Sequence, residues 1–255
     1  ILILMTISFG KKLKNIQLNN NMLATALKEG TKKSHTAAEN TKFVSSFLKG
    51  VLDPLEYRKL LTNFYYVYDV MEHHIKNSED PKVKAIYYPE LERKKYIEED
   101  LEYFYGPGWK DMQEPSEACA TYFYRINEVA EKDPYLLIAH HYTRYIGDLS
   151  GGKILKGITE RVLRPPAGKG LKFYDFPDIS NAKEFKNDYR EILNNLGMSE
   201  YQTNMLIAEA NYAFRMNMYM FEEIQGNAAK SFWQLLNSFA IDFIQEMIVS
   251  KRFRK

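Results

Sequence analysis

From residue 22 onward the apolar side chains recur at intervals of three and four, and the two-residue alternation of a half-buried strand is nearly absent. That periodicity restricts the chain to helices packed on helices. Tyr57, Leu60, Leu61, Phe64, Tyr65 and Tyr68 form one stripe. Ile126, Val129 and Ala130 form another, resumed after a break by Leu136, Leu137 and Ala139, and Phe232, Leu235, Leu236, Phe239, Phe243 and Met247 make a third. Helix starts are marked at Asp53-Pro54-Leu55-Glu56 and Asp133-Pro134, where a capping acid precedes a first-turn proline. Asn181-Ala182-Lys183-Glu184 reads as a capping box. Breaks fall at Asp80-Pro81, Tyr105-Gly106-Pro107-Gly108, Pro165-Pro166-Ala167-Gly168 and Gly197, none long or polar enough for a linker. The expectation is one all-α domain over residues 22–250, with residues 1–21 a poorly ordered arm and 251–255 a basic tail.

Charge and cysteine narrow the function classes. Thirty-five basic against 33 acidic residues leave +2, which argues against a nucleic-acid or anionic-membrane partner. Cys119 is the single cysteine, so it forms no internal disulfide and suits a reducing compartment. No run of about 18 apolar residues suggests a membrane span. The closest stretch, residues 232–249, is interrupted by Gln234, Asn237, Asp242, Gln245 and Glu246. The opening Ile1-Leu2-Ile3-Leu4 is followed by Lys11, Lys12 and Lys14, the reverse of a secretory signal.

Residues 139–153 carry the sharpest signal. Gly147, Gly151 and Gly152 fall within six residues of a helical stretch, each at a cost of about 1 kcal/mol against alanine. Gly147 and Gly151 share one helix face, with Arg144 and Asp148 beside them. A face bare of side chains and flanked by a charge pair suits a flat ligand lying on the backbone. Taken alone, Arg144–Asp148 is also an ordinary i,i+4 pair, worth little if exposed.

Other candidates are weaker singly. Lys28, Lys32, His35 and Glu39 lie on one side of a helix, as a metal-ligand histidine with an orienting carboxylate and two cations for a ligand's acids. The bare pattern fits a solvated, salt-bridged face better. His140 and His141 point about 100° apart, so one is expected in the core and the other at an interface. His73 and His74 are expected on the surface, and no histidine spacing suits zinc. Lys186 and Arg190, four apart, suit a carboxylate clamp or a solvated face. Phe214 offers an apolar wall and Asn217 a polar group one turn on, although such residues are usually core.

Together the segments at residues 28–40, 87–91, 139–153, 185–190 and 217–223, with Phe47-Leu48-Lys49-Gly50, resemble the heme oxygenase family in content and order. The resemblance implies an all-α, single-domain fold with heme sandwiched between a proximal and a kinked distal helix. It makes His35 the iron ligand and Glu39 the residue that orients it. Gly147, Gly151 and Gly152 become the bare distal backbone, and Asp148 the carboxylate holding a water network near bound O2. Tyr68, Tyr122, Arg144 and Asn217 support that network, Phe214 adds to the heme contacts, and Lys28, Tyr142, Lys186 and Arg190 hold the propionates. The implied reaction consumes heme, O2 and electrons and yields biliverdin IXα, CO and Fe2+.

Lacking the apolar C-terminal anchor of animal members, the chain looks like the soluble, ferredoxin-dependent forms of cyanobacteria and algal plastids. A monomer in the plastid stroma, or in a cyanobacterium-like cytoplasm, supplying a bilin reductase is the implied setting. A truncated animal enzyme fits almost as well, and a non-catalytic heme binder on the same scaffold is the rival. His73-His74 stands where the family usually has an acidic cluster, and the N-terminal arm is longer than in most soluble members.

Overall fold

A computed structural model describes residues 22–224, and among them there is no strand. The arm, the C-terminal stripe from Phe232 and the basic tail lie outside the described residues. In chain order the α-helices are α1 (Leu23–Glu39), α2 (Lys42–Leu48), α3 (Pro54–Lys76), α4 (Pro81–Ala85), α5 (Lys94–Tyr105), α6 (Trp109–Met112), α7 (Glu117–Lys132), α8 (Leu137–His141), α9 (Gly147–Leu163), α10 (Ala182–Asn195) and α11 (Glu200–Ile224). A π-helix, Tyr142–Ile146, joins α8 to α9 without a break.

The stripes lie where the periodicity puts them. Tyr57, Leu60, Leu61, Phe64, Tyr65 and Tyr68 are all buried on α3, which packs against α5 and α7. Ile126 and Val129 are buried on α7, whereas Ala130 is only half-buried. Asp53 caps α3 by accepting from Leu55 N at 2.7 Å. Asn181 caps α10 by accepting from Lys183 N and Glu184 N. Asp133 behaves differently from the expectation. Its carbonyl takes Leu136 N at 2.8 Å, giving a 3₁₀ turn without a side-chain cap, and the α-helix begins only at Leu137.

Helix α11 organises the site. It runs against α1, α2, α3, α7 and α8. Its crossing with α1 is close because Gly30 has no side chain: a Cβ there would stand 2.5 Å from Ile207 Cγ2. Asn211 fastens the same crossing, donating to the Gly30 carbonyl at 3.1 Å and accepting from Ser34 Oγ at 2.5 Å.

Candidate functional site

The helical run through α8, the π-helix and α9 carries the candidate residues between Tyr142 and Gly152. A π-helix inserts an extra residue into the turn, is rare, and is frequently found at functional sites. Here it occupies Tyr142–Ile146, just before Gly147, so the irregularity precedes the glycines rather than falling on them. A Cβ built on Gly147 or Gly151 meets nothing within 4 Å, and one on Gly152 meets only Tyr174 Cδ1, at 3.8 Å. Protein packing demands a glycine at position 30 but not at 147 or 151. The helix forgoes about 1 kcal/mol at each of these two positions with no packing requirement among the described residues.

Beside those glycines lies a buried polar cluster. Arg144 Nη2 donates to Asp148 Oδ1 at 3.3 Å, and the Tyr68 hydroxyl donates to Asp148 Oδ2. Arg144 Nε donates to Tyr68 Oη at 3.0 Å and Nη1 to Asn217 Oδ1 at 2.8 Å. Asn217 is held with its oxygen toward Arg144 because its Nδ2 donates to the Ala213 carbonyl at 2.8 Å. The guanidinium also lies 4.2 Å from the Phe64 ring centre. With side-chain exposures of 10% and 13%, Arg144 and Asp148 are no surface pair. Burial raises the Asp148 carboxyl above its ordinary pKa, against the opposing pull of Arg144, Tyr68 and Arg93.

The polar groups continue inward. Tyr122 Oη is 3.4 Å from His140 Nδ1, and His140 Nε2 is 2.9 Å from Glu209 Oε1. Arg125 grips Glu209 with Nε at 3.0 Å and Nη2 at 2.6 Å. Burial alone would raise the Glu209 carboxyl, but His140 and Arg125 outweigh it and bring it down to about 2. Glu209 and Arg125 were not among the sequence candidates. Their partners lie 69 and 84 residues away, and no local pattern marks them.

His35 faces outward from α1, exposed, with Nδ1 3.6 Å from Glu39 Oε2. Its ring meets Phe214 edge-on at 5.8 Å between centres. Among the described residues, no cluster of three or more His, Cys, Asp or Glu side chains could hold a metal. Lys28 and Lys32 are exposed on the same helix. Across the site, Lys186 Nζ on α10 donates to Ser150 Oγ at 3.0 Å, one residue from Gly151. Burial lowers the Lys186 pKa and Arg190 lowers it further. Arg190 Nη1 donates to Asn187 Oδ1 at 2.9 Å. The Tyr142 hydroxyl is raised by burial, with Arg190 opposing.

The histidine expectations need one correction. His140 and His141 are both buried, at 0% and 2% exposure, so neither sits at an exposed interface. His141 stacks on Tyr189 at 5.4 Å and pairs with its hydroxyl at 2.7 Å, and burial lowers its pKa to about 3. A buried hydrogen-bond partner exists for each ring, which the 100° divergence alone does not reveal. His73 is exposed, and His74 is half-buried with Nε2 2.7 Å from Asn127 Oδ1.

Residues 21–223 match the family described as heme oxygenase. The chain is 43% identical over 235 residues to a heme oxygenase of Guillardia theta, spanning 92% of this chain and 99% of that one. It is 48% identical over 215 residues to heme oxygenase 1 of Nostoc, spanning 84% and 90% respectively. The fold superposes on the crystal structure of heme oxygenase-1 from Synechocystis in complex with heme. That match has a TM-score of 0.78 and 46% identity, over 86% of this chain and 99% of that one. It also superposes on Synechocystis heme oxygenase-2 with heme and NO, with a TM-score of 0.78 and 41% identity over 80% and 85%. An all-α chain with these similarities belongs to the heme oxygenase family.

Proposed function

We propose that this chain degrades heme, opening the ring with O2 and electrons to give biliverdin IXα, CO and Fe2+. The observation that carries the reading is the fixed Asp148 carboxylate on the same turn of helix as the bare backbone of Gly147 and Gly151. The residues present fit a heme. A flat ring can rest where an added Cβ would find open space. An iron that brings its own ring nitrogens needs one protein ligand, and His35 offers a single exposed imidazole. The two Synechocystis relatives were crystallised with heme.

Each residue then has a task. His35 ligates the iron through its imidazole, and Glu39, 3.6 Å from Nδ1, stands where it can orient the ring. Phe214 supports the imidazole. Gly147, Gly151 and Gly152 admit the ring against α9. Lys28, Tyr142, Lys186 and Arg190 hold the propionates and so choose which ring edge faces Asp148. Heme, once bound, supplies the iron at which O2 is reduced, and is itself the substrate. Asp148 keeps a lone pair on each oxygen beyond its bonds to Tyr68 and Arg144, and there it orders water that carries a proton to the reacting oxygen. Arg144, Tyr68, Tyr122 and Asn217 hold that carboxylate still.

In the same proposal reduced ferredoxin is the donor and bilin synthesis through a downstream reductase the purpose, in a plastid or cyanobacterium-like setting that accords with the algal and cyanobacterial origin of several relatives. The test is one equivalent of hemin with ferredoxin, its reductase and NADPH in air. Decay of the Soret band into biliverdin absorbance is expected. Turnover with a cytochrome-type reductase alone would overturn the donor assignment. A Soret band stable to every donor would overturn the enzyme and leave a heme-binding protein.

A further inference from the structure

Behind the Asp148 cluster lies a second set of buried groups that the proposed reaction does not use. Glu72 follows Tyr68 by one turn on α3 and is only 8% exposed. Three donors converge on its carboxylate: Arg93 N, Lys94 N at 3.1 Å, and Tyr145 Oη at 3.1 Å. The first two lie at the start of α5, so Glu72 serves as its cap. The third is the fourth residue of the π-helix.

Arg93 braces this junction and is itself fully buried. Its Nε donates to the Leu91 carbonyl at 2.9 Å, its Nη2 to that of Glu90 at 3.2 Å, and its Nη1 to that of Asp175. The guanidinium lies 3.8 Å from the Phe176 ring centre and 4.5 Å from that of Tyr96. Glu72 is therefore held from behind by a rigid shelf and offers one bond forward, to Tyr145.

The consecutive π-helix residues Arg144 and Tyr145 thus reach two α3 residues one turn apart, Tyr68 and Glu72. An ordinary helical turn places the same bonds only if its register shifts, because the π-helix carries one more residue per turn. We propose that Glu72 is a positioning residue: through Tyr145 it holds the π-helix against α3, and so fixes where Gly147 and Asp148 stand. The importance of that placement for turnover rests on the function proposed above; the placement itself does not.

Tyr145→Phe is the discriminating variant, since it removes the forward bond and leaves the cap on α5 intact. Amide hydrogen exchange on the heme-free protein should rise about tenfold across residues 142–148 and stay unchanged in α11. Glu72→Ala should reproduce that local rise, and Glu72→Gln, whose carboxamide oxygen still accepts from Tyr145, should largely restore protection. In the hemin-loaded enzyme kcat should fall about tenfold with KM for heme unchanged. Unchanged exchange at 142–148, or a rise spread evenly over the chain, would overturn the proposal. A wild-type chain that makes no biliverdin would defeat the function alone, because the exchange pattern is read without heme.

Discussion

Phe214 and Asn217 lie three residues apart on α11 and touch the two halves of the site. Phe214 meets the His35 ring at 5.8 Å, and Asn217 accepts from Arg144 at 2.8 Å. A rise of about 4.5 Å along one helix separates these contacts. One element therefore sets the spacing between the imidazole side and the carboxylate side.

His35 has few structural duties, being exposed and touching mainly Phe214 and Glu39. His35→Ala should change the stability of the heme-free protein by no more than about 0.5 kcal/mol. It should also alter the visible spectrum of the hemin complex. Thermal unfolding and a hemin titration check both halves, and an unaltered spectrum would remove His35 from the iron.

The glycines separate packing from function. Gly151→Leu should fold at least as stably as the parent, with about 1 kcal/mol gained in the helix, yet bind hemin tenfold or more weakly. Gly30→Ala should instead lose about 1–3 kcal/mol by driving a methyl into Ile207. Denaturant melts and hemin titrations measure these. Parental hemin affinity in Gly151→Leu would mean the ring lies elsewhere.

Much of this was legible in the chain. The α3 stripe and the Asp53 and Asn181 caps need only local spacing, and the structure places each as that spacing implies. Arg144 and Asp148 were legible as a pair, but their burial was not, since Phe64, Tyr68 and Asn217 enclose them from distant segments. The π-helix was invisible because Tyr142-Thr143-Arg144-Tyr145-Ile146 carries no breaker; tertiary bonds to α3 and α11 select it. Glu72, Arg93 and Glu209 carry no local signal of burial, because the contacts that enclose them reach across 21, 82 and 69 residues of sequence.

Two buried glutamates give opposite pH signatures. Glu209 stands at about 2 in the folded chain, below its ordinary 4.5, so its contribution is complete above pH 4.5 and is lost as pH falls toward 2. Glu72 stands at about 7, chiefly through burial, so the folded state holds that proton more tightly and stability declines as pH rises from 4.5 to 7. Glu209→Gln should cost about 3 kcal/mol at neutral pH and flatten the acid limb. Glu72→Gln should flatten the limb from 4.5 to 7. Melting curves across pH test this, and limbs that superpose on the parent's would refute the assignments.

Under the proposed function, Lys186 and Arg190 would act on the choice of product. Neither is deeply packed, and Lys186 touches the site through Ser150. Replacing either with alanine should leave folding intact and mix the biliverdin isomers, resolved by chromatography. A single unchanged isomer from the double variant would exclude the clamp.

Asp148 bears the central claim, and Asp148→Asn tests it with the least disturbance of shape. Hemin should bind with parental stoichiometry and a normal Soret band, while the rate of biliverdin formation in the ferredoxin system falls about a hundredfold or more. Parental turnover in that variant would contradict the account.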